Sequence, residues 1–260
     1  MKPQILPIAG ILFLLFSLSS SCNRDATCTK GQGNLVTQTI DLPDFAGLRI
    51  LTAADVVLTQ GEVQRVAITA QQNVIDLLKR TVDGNIWPIE FEGCFETSEP
   101  ITIEITLPTL TYAAIEGSGN LTGTNRFTDL NRVELAIEGS GDLTLNLEAI
   151  AADTRASGSG DLDLNLTANT LNFRNSGSGD QRFTGSAPEF IYSNAGSGSC
   201  SAFGLAADNI AVANTGSGDC RVTANQNLNV NLGGSGDVYY RGRPAIELID
   251  NGSGELIDAN

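Results

Sequence analysis

The stretch GSGDLDLNLTANTLNFRNSGSGD, residues 158–180, begins and ends with the same four residues, Gly-Ser-Gly-Asp. The tripeptide Gly-Ser-Gly occurs eight times, and its copies start at Gly117, Gly139, Gly158, Gly177, Gly196, Gly216, Gly234 and Gly252. Successive copies are 22, 19, 19, 19, 20, 18 and 18 residues apart. A period this regular indicates that each repeat forms one structural unit of the same kind.

Apolar residues tend to occupy even-numbered places relative to the first glycine of each repeat. Leu162 and Val238 lie four residues after it, and Phe173 and Val230 lie four residues before it, whereas odd places carry mainly Ser, Asp, Asn and Thr. This alternation predicts strands that are buried on one side. We therefore predict an all-β protein, a right-handed parallel β-solenoid with about 19 residues per rung, its hand following the usual chirality of parallel crossovers.

The repeat also predicts how its residues stack along the solenoid. Both glycines of each motif are expected to point inward, where the missing side chains let the wall turn tightly or approach the opposite wall. Asn175, Asn194 and Asn214 share one inward place in consecutive repeats. Their buried amides are expected to hydrogen-bond to one another along the stack.

The chain before the repeats divides into three parts. Residues 1–21 have a positive Lys2 and a short apolar run, which is typical of a signal peptide, and the small residues before Cys22 resemble a lipobox. We predict a lipoprotein acylated at Cys22, with an ordinary cleaved signal as the alternative. Residues 22–34 are interpreted as a polar tether, residues 35–110 as a β-rich region with a helix at 73–80 capped by Asn73, and residues 111–260 as the solenoid.

Export to an oxidising compartment leaves four further cysteines to be explained. Cys28, Cys94, Cys200 and Cys220 allow three pairings, between which the sequence does not choose. We favour a Cys28–Cys94 disulfide, since Cys28 lies in the tether. Cys200 and Cys220 share an inward place in adjacent rungs, and we interpret them as an unbridged pair in the core.

An acidic residue directly follows most of the Gly-Ser-Gly motifs. These residues are Asp142, Asp161, Asp180, Asp219, Asp237 and Glu255, while Asn120 and Ser199 interrupt the series. Stacked carboxylates repel one another, and calcium would relieve that repulsion. The spacing nevertheless differs from that of calcium-binding β-rolls, so we favour carboxylates that accept hydrogen bonds from backbone N–H groups.

Composition narrows the chemistry that the protein can perform. The net charge is −15, which argues against nucleic acid as a partner, and the chain contains no histidine. A Ser-His-Asp triad is therefore impossible, and no cofactor is predicted. Tyr239-Tyr240-Arg241-Gly242-Arg243 departs from the repeat, and we interpret it as an end rung that covers the open stack.

Several segments together resemble a known family. They are DLPDFAGLRILTAADVVLTQGEVQRVAITA (residues 41–70), VDGNIWPIEFEG (residues 82–93), ITIEITLPTLTYAAIEGSGNL (residues 101–121) and the recurring Gly-Ser-Gly-Asp. Over about residues 36–258 the chain is similar to the "putative auto-transporter adhesin, head GIN domain" family. The resemblance implies an exported or surface β-helical protein, and it brings no catalytic residues with it.

From these observations we expect a non-enzymatic adhesion or scaffold protein. It would be held at the outer membrane by an N-terminal lipid and would bind a glycan or a protein through the repetitive wall of the solenoid. A β-helical polysaccharide lyase or hydrolase is the alternative, and a calcium-binding β-roll-like module is a second one. An enzyme would need a singular cluster of charged residues in a groove.

Overall fold

In the computed structural model, which describes residues 28–260, ten elements precede the first Gly-Ser-Gly motif. They are β1 (Thr29–Lys30), β2 (Leu35–Ile40), β3 (Gly47–Ile50), β4 (Asp55–Gln60), β5 (Arg65–Gln71), α1 (Gln72–Ile75), β6 (Ile86–Ile89), β7 (Phe95–Glu96), β8 (Thr102–Leu107) and β9 (Tyr112–Ile115). The strands that follow are β10 (Leu121–Ile137), β11 (Leu143–Ala156), β12 (Leu162–Asn175), β13 (Gln181–Ser186), β14 (Glu189–Asn194), β15 (Cys200–Asn214), β16 (Cys220–Leu232), β17 (Val238–Arg241), β18 (Ala245–Asp250) and β19 (Leu256–Asp258).

The repeats form a parallel β-solenoid, as the alternation predicted. β11 pairs with β12 from Leu143 opposite Leu162 to Ala156 opposite Asn175. Each residue thus pairs with its equivalent in the next repeat. The pairing continues rung by rung to β17 on β16 and β19 on β17. Equivalent residues of consecutive repeats therefore lie one above the other.

Each rung has two walls around a narrow apolar core. We call the strand segment after Gly-Ser-Gly the front wall and the segment before the next Gly-Ser-Gly the back wall. In β12, Leu162, Leu164 and Leu166 of the front wall and Leu171 and Phe173 of the back wall are buried. In the front wall of β12 the even-numbered residues point inward, whereas in the back wall the odd-numbered residues do. This change marks a second corner, opposite the glycines.

The glycines are required by stacking along the axis of the solenoid. A Cβ added to Gly177 or Gly179 would lie 2.1 or 2.0 Å from the carbonyl oxygen of Gly158 or Gly160 in the rung before. The same contact, at 1.9–2.2 Å, recurs from Gly139 to Gly254. Of the two reasons expected for these glycines, an approach to the opposite wall does not apply, because the crowding atom is the backbone of the preceding corner.

The buried asparagine ladder is confirmed. Asn175 donates from Nδ2 to Asn194 Oδ1 at 3.0 Å, and Asn194 donates to Asn214 Oδ1 at 2.9 Å. Each Oδ1 also accepts the backbone N–H two residues later, so that Gly177 and Gly196 are each bonded at 3.0 Å. The ladder thus satisfies polar groups of the side chains and of the glycine corners together.

Cys200 and Cys220 are buried free thiols in paired positions of β15 and β16. Burial, together with the neighbouring Cys200, raises the pKa of the Cys220 thiol. A protonated thiol in an apolar core behaves as a small hydrophobic side chain.

The solenoid begins earlier in the chain than the first Gly-Ser-Gly motif. The corner at Thr52–Ala54 lies directly beneath Gly117–Gly119, and β3 and β4 on its two sides pair in parallel with β9 and β10. Beneath this rung lies another, made of β6 and β8 from a later part of the chain. The order of the first rungs in space therefore differs from their order in sequence.

The N-terminal end of the stack is covered. β5 and β2 extend the sheet beyond β8 in antiparallel pairing, and Val74, Ile75 and Trp87 are buried. The helix α1 covers only Gln72–Ile75, shorter than predicted, and Asn73 does not cap it. The Asn73 side chain instead bonds residues 30 and 32, accepting from the N–H of Gln32 and donating to the carbonyl of Lys30.

The polar segment over residues 28–34 is attached to the domain. Its strand β1 pairs with β7, and Cys28 and Cys94 form a disulfide with Cα atoms 4.8 Å apart. Cys22 and residues 1–21 lie outside the described residues. Within residues 28–260, no helix is both long and apolar enough to cross a membrane.

Among residues 28–260, no element covers the C-terminal end of the stack. Tyr240 packs partly against the core, and the guanidinium of Arg241 lies 4.0 Å from the centre of the Phe203 ring. The stretch Tyr239–Arg243 does not close the stack, contrary to the prediction, because β19 pairs with β17 on its far side. All six residues of β18 are exposed.

Candidate functional site

The acidic ladder runs along the edge of the front wall, where each carboxylate supports the next rung. Asp142 Oδ1 accepts the backbone N–H of Asp161 at 2.8 Å, and Asp161 Oδ1 accepts that of Asp180 at 2.7 Å. The pattern resumes with Asp219, which accepts from Asp237 at 3.1 Å, and Asp237, which accepts from Glu255 at 2.9 Å. The carboxylates thus act as acceptors for backbone N–H groups that the parallel pairing leaves free.

Calcium binding by the acidic ladder is the alternative that the sequence raises. Among residues 28–260, no group of three or more Asp, Glu, His or Cys side chains is arranged to hold a metal ion. The described geometry therefore accounts for the ladder by hydrogen bonds between rungs.

Ser199 interrupts the ladder and changes the surface around it. Asp180 Oδ1 accepts the N–H of Ser199 at 2.9 Å, but Ser199 has no carboxylate to offer the N–H of Asp219 in the next rung. The short side chains of Ser199 and Ser201 leave a depression in the front wall. We call it the front-wall groove; it has a volume of about 310 Å³, and its lining includes Asp161, Asp163, Asp180, Arg182, Ser199, Ser201 and Arg221.

Charges of both signs and an aromatic ring surround this groove. Arg182 and Arg221 lie one rung before and one rung after Ser201 in the same outward column. The guanidinium of Arg221 bonds Asp219 Oδ2 at 3.3 Å and lies 4.9 Å from the centre of the Tyr239 ring. Tyr239 continues the column by one rung, so the wall presents carboxylates, guanidinium groups and an aromatic face side by side.

The Tyr239 hydroxyl is held as a hydrogen-bond donor. Desolvation and the charges of Asp219 and Asp237 raise the pKa of Tyr239, and its hydroxyl donates to Asp237 Oδ2 at 3.3 Å. A protonated phenol beside carboxylates adds a further polar group to a surface that already holds Arg221.

A more voluminous depression on the described surface lacks charged and aromatic side chains. It measures about 680 Å³ and runs along the Gly-Ser-Gly corners, where its lining consists only of Ser, Gly, Ala and Thr residues between 157 and 235. It carries no charged or aromatic side chain, whereas the front-wall groove carries both kinds of charge and adjoins Tyr239. We therefore take the front-wall groove as the candidate site.

Sequence reasoning noticed part of this site. The acidic series shows Ser199 as an interruption, but it does not connect Ser199 with Arg182, Arg221 and Tyr239. The signal is present in the repeat, because the place five residues after the first glycine reads Asp163, Arg182, Ser201, Arg221 and Tyr239 in successive rungs.

Several solved structures share the fold of this chain. A protein named putative adhesin from Parabacteroides distasonis is 26% identical, with a TM-score of 0.82 over 87% of this chain and 98% of that chain. A protein named putative lipid binding protein from the same organism is 24% identical, with a TM-score of 0.79 over 87% and 98%. A putative adhesin from Parabacteroides merdae is 22% identical, with a TM-score of 0.81 over 88% and 98%. The last two share the fold alone.

Among curated proteins, none matches the sequence. The family model described as "Putative auto-transporter adhesin, head GIN domain" matches residues 44–244, from just before the first rung to the turn before β18. An adhesin-type family indicates an extracellular or envelope protein. Because this match covers most of the chain and includes the solenoid described above, the protein belongs to the auto-transporter adhesin, head GIN domain family.

Proposed function

We propose that the protein is a lipid-anchored adhesin of the cell envelope that binds neutral glycans at the front-wall groove without cleaving them. The observation that carries this proposal is the combination of Arg182, Arg221, ladder carboxylates and Tyr239 around the gap at Ser199. The membership in an adhesin-type family supports the same reading.

The groove has the groups that recognise a sugar. Carboxylates accept hydrogen bonds from sugar hydroxyls, guanidinium groups donate to hydroxyl and ring oxygens, and an aromatic face packs against the apolar face of a pyranose. The net charge of −15 disfavours polyanionic glycans through repulsion. Neutral polysaccharides are therefore the ligand class that fits best.

The ladder carboxylates in the groove serve recognition better than hydrolysis. Asp161 and Asp180 each use Oδ1 to accept a backbone N–H of the next rung, at 2.7 and 2.9 Å. Glycoside hydrolysis requires two carboxyl groups that are free to act on the sugar, whereas one oxygen of each of these carboxylates is held by the backbone. A carboxylate fixed in this way still has Oδ2 to accept a ligand hydroxyl.

The first prediction concerns binding at the groove. We expect the protein to be retained by at least one neutral polysaccharide in a panel of mannan, xylan, laminarin and dextran. Replacing Arg221 with glutamine should raise the dissociation constant about tenfold, since it removes a charge-assisted hydrogen-bond donor. Affinity electrophoresis measures the retention, and reducing-end assays on the same samples measure cleavage.

The matched control is Arg65→Gln, which makes the same change of charge at an exposed residue of β5, in the N-terminal part of the fold. It should bind like the wild type. Equal affinity of both variants would remove the groove from the proposal, and chain cleavage abolished by one substitution would replace the adhesin with an enzyme.

The second prediction concerns the membrane anchor. Cys22→Ser is expected to move the protein from the membrane fraction to the soluble fraction, because acyl chains supply the stable attachment. Fractionation and metabolic labelling with palmitate measure the two consequences. Cys28→Ser is the control, since it alters a neighbouring cysteine that the fold uses in a disulfide. Wild-type protein that takes up no palmitate would contradict the anchor.

A further inference from the structure

The last back-wall strand, β18, has an apolar edge that no other segment of the described residues covers. Within residues 28–260, β18 pairs only with β16, and β19 pairs only with β17. Ile246 and Leu248 occupy the inward places that Leu228 and Val230 hold in the preceding rung. Leu228 and Val230 are 0% and 3% exposed, whereas Ile246 and Leu248 are 44% and 45% exposed.

An edge of this kind is a template for another strand. Natural proteins usually shield edge strands with lysine, proline, a bulge or a covering segment. The opposite end of this solenoid is shielded, because α1, β5 and β2 cover the rung of β6 and β8. β18 reads Ala-Ile-Glu-Leu-Ile-Asp and has no lysine, proline or glycine.

The charges around β18 indicate which strand would fit. Arg241 and Arg243 lie just before the strand, and Asp250 lies at its end in the inward place that Leu232 holds one rung earlier. A two-fold axis through the middle of β18 would pair two copies of the strand antiparallel. The basic start of each strand would then lie beside Asp250 of the other, which gives an isologous and self-complementary contact.

We propose that two copies of this chain associate through their last rungs, C-terminal end to C-terminal end. Antiparallel pairing of β18 with β18 satisfies the free backbone groups and covers Ile246 and Leu248 of both copies.

The dimer has a consequence for adhesion, and this step rests on the proposed function. Lys30 and Gln32, near the start of the described chain, bond Asn73 of α1 at the covered end, so the first described residues of the two copies lie at opposite ends of one rod. Ten rungs at about 4.8 Å give each copy a length of roughly 50 Å. Such a dimer joins copies on two opposing membranes more readily than neighbours in one membrane.

Sedimentation velocity of the purified Cys22→Ser chain tests the dimer without lipid or glycan. We expect a concentration-dependent dimer. Leu248→Lys should raise the dissociation constant of the dimer about tenfold or more, because it buries a charge at the contact. The control is Val63→Lys, the same kind of change at an apolar residue that is 75% exposed elsewhere.

Exchanging the charges of Arg243 and Asp250 distinguishes the loss of a dimer contact from a folding defect. Arg243→Glu should weaken the dimer, and the double variant Arg243→Glu with Asp250→Arg should restore it to within about threefold. A wild-type protein that is monomeric at every soluble concentration would overturn the proposal, as would a dimer that Leu248→Lys leaves unchanged. Either result leaves glycan binding by the monomer intact, so the two proposals fail separately.

Discussion

Replacing Gly179 with alanine is expected to lower the free energy of unfolding by about 3–5 kcal/mol, in the range reserved for severe steric conflicts. The new Cβ would lie 2.0 Å from the carbonyl oxygen and 2.6 Å from the carbonyl carbon of Gly160. Both atoms belong to the backbone of the rung before, so no side-chain rotation relieves the contact. The two corners must separate, which lengthens bonds such as that from Ser178 N–H to the Gly158 carbonyl at 3.0 Å.

The sign of this effect makes the test decisive. At a position without steric conflict, a change from glycine to alanine stabilises a protein by about 0.4–1 kcal/mol, because it restricts the unfolded chain. Urea unfolding followed by circular dichroism measures the difference. Ser178→Ala is the control in the same corner, since its exposed side chain makes one bond of 3.3 Å to Ser159, and it should change stability by less than about 0.5 kcal/mol. A stabilising Gly179→Ala would contradict the stacking explanation.

The second large effect is expected at the centre of the asparagine ladder. Asn194→Leu should lower the free energy of unfolding by about 2–4 kcal/mol, because it leaves buried donors without acceptors. The variant removes the acceptor of the Asn175 amide and the acceptor of the Gly196 N–H. Leucine itself fits this column, since Leu232 occupies the same place above Asn214 and is fully buried.

Asn209→Leu is the matched control for this prediction. Asn209 also makes two side-chain bonds, to Glu189 and Asn227, but these bonds lie at the solvent-exposed surface. Water replaces the lost partners there, so the cost should stay below about 0.5 kcal/mol. Equal losses for the two variants in chemical denaturation would show that burial does not set the strength of the ladder.

Interactions within one rung and between equivalent residues of adjacent rungs could be predicted from the sequence. The alternation around Leu162 and Phe173 reports which side of a strand is buried, and the shared place of Asn175, Asn194 and Asn214 reports a ladder. Both signals are local, because they depend on a fixed period along the chain. For glycine, the same reasoning identified the right residues but chose the wrong neighbour, since a period does not show the direction in which a Cβ would point.

The N-terminal region could be predicted less well. The helix expected at residues 73–80 ends at Ile75, and Asn73 binds Lys30 and Gln32 instead of capping it. Contacts between residues more than 40 positions apart decide this outcome, and they override a weak local preference.

The sequence by itself determined a coil of parallel strands with glycine at one corner and carboxylates beside it. The reason is that residues recurring with a fixed period take the same place, inside or outside, in every rung. The tertiary structure alone decided that β6 and β8 lie beneath β3 and β4, and that β18 pairs on one side only within the described residues. It also brought Arg182, Ser199, Arg221 and Tyr239 together on one wall. These features depend on where the walls and ends of the solenoid meet in space, and that placement follows from packing between distant segments.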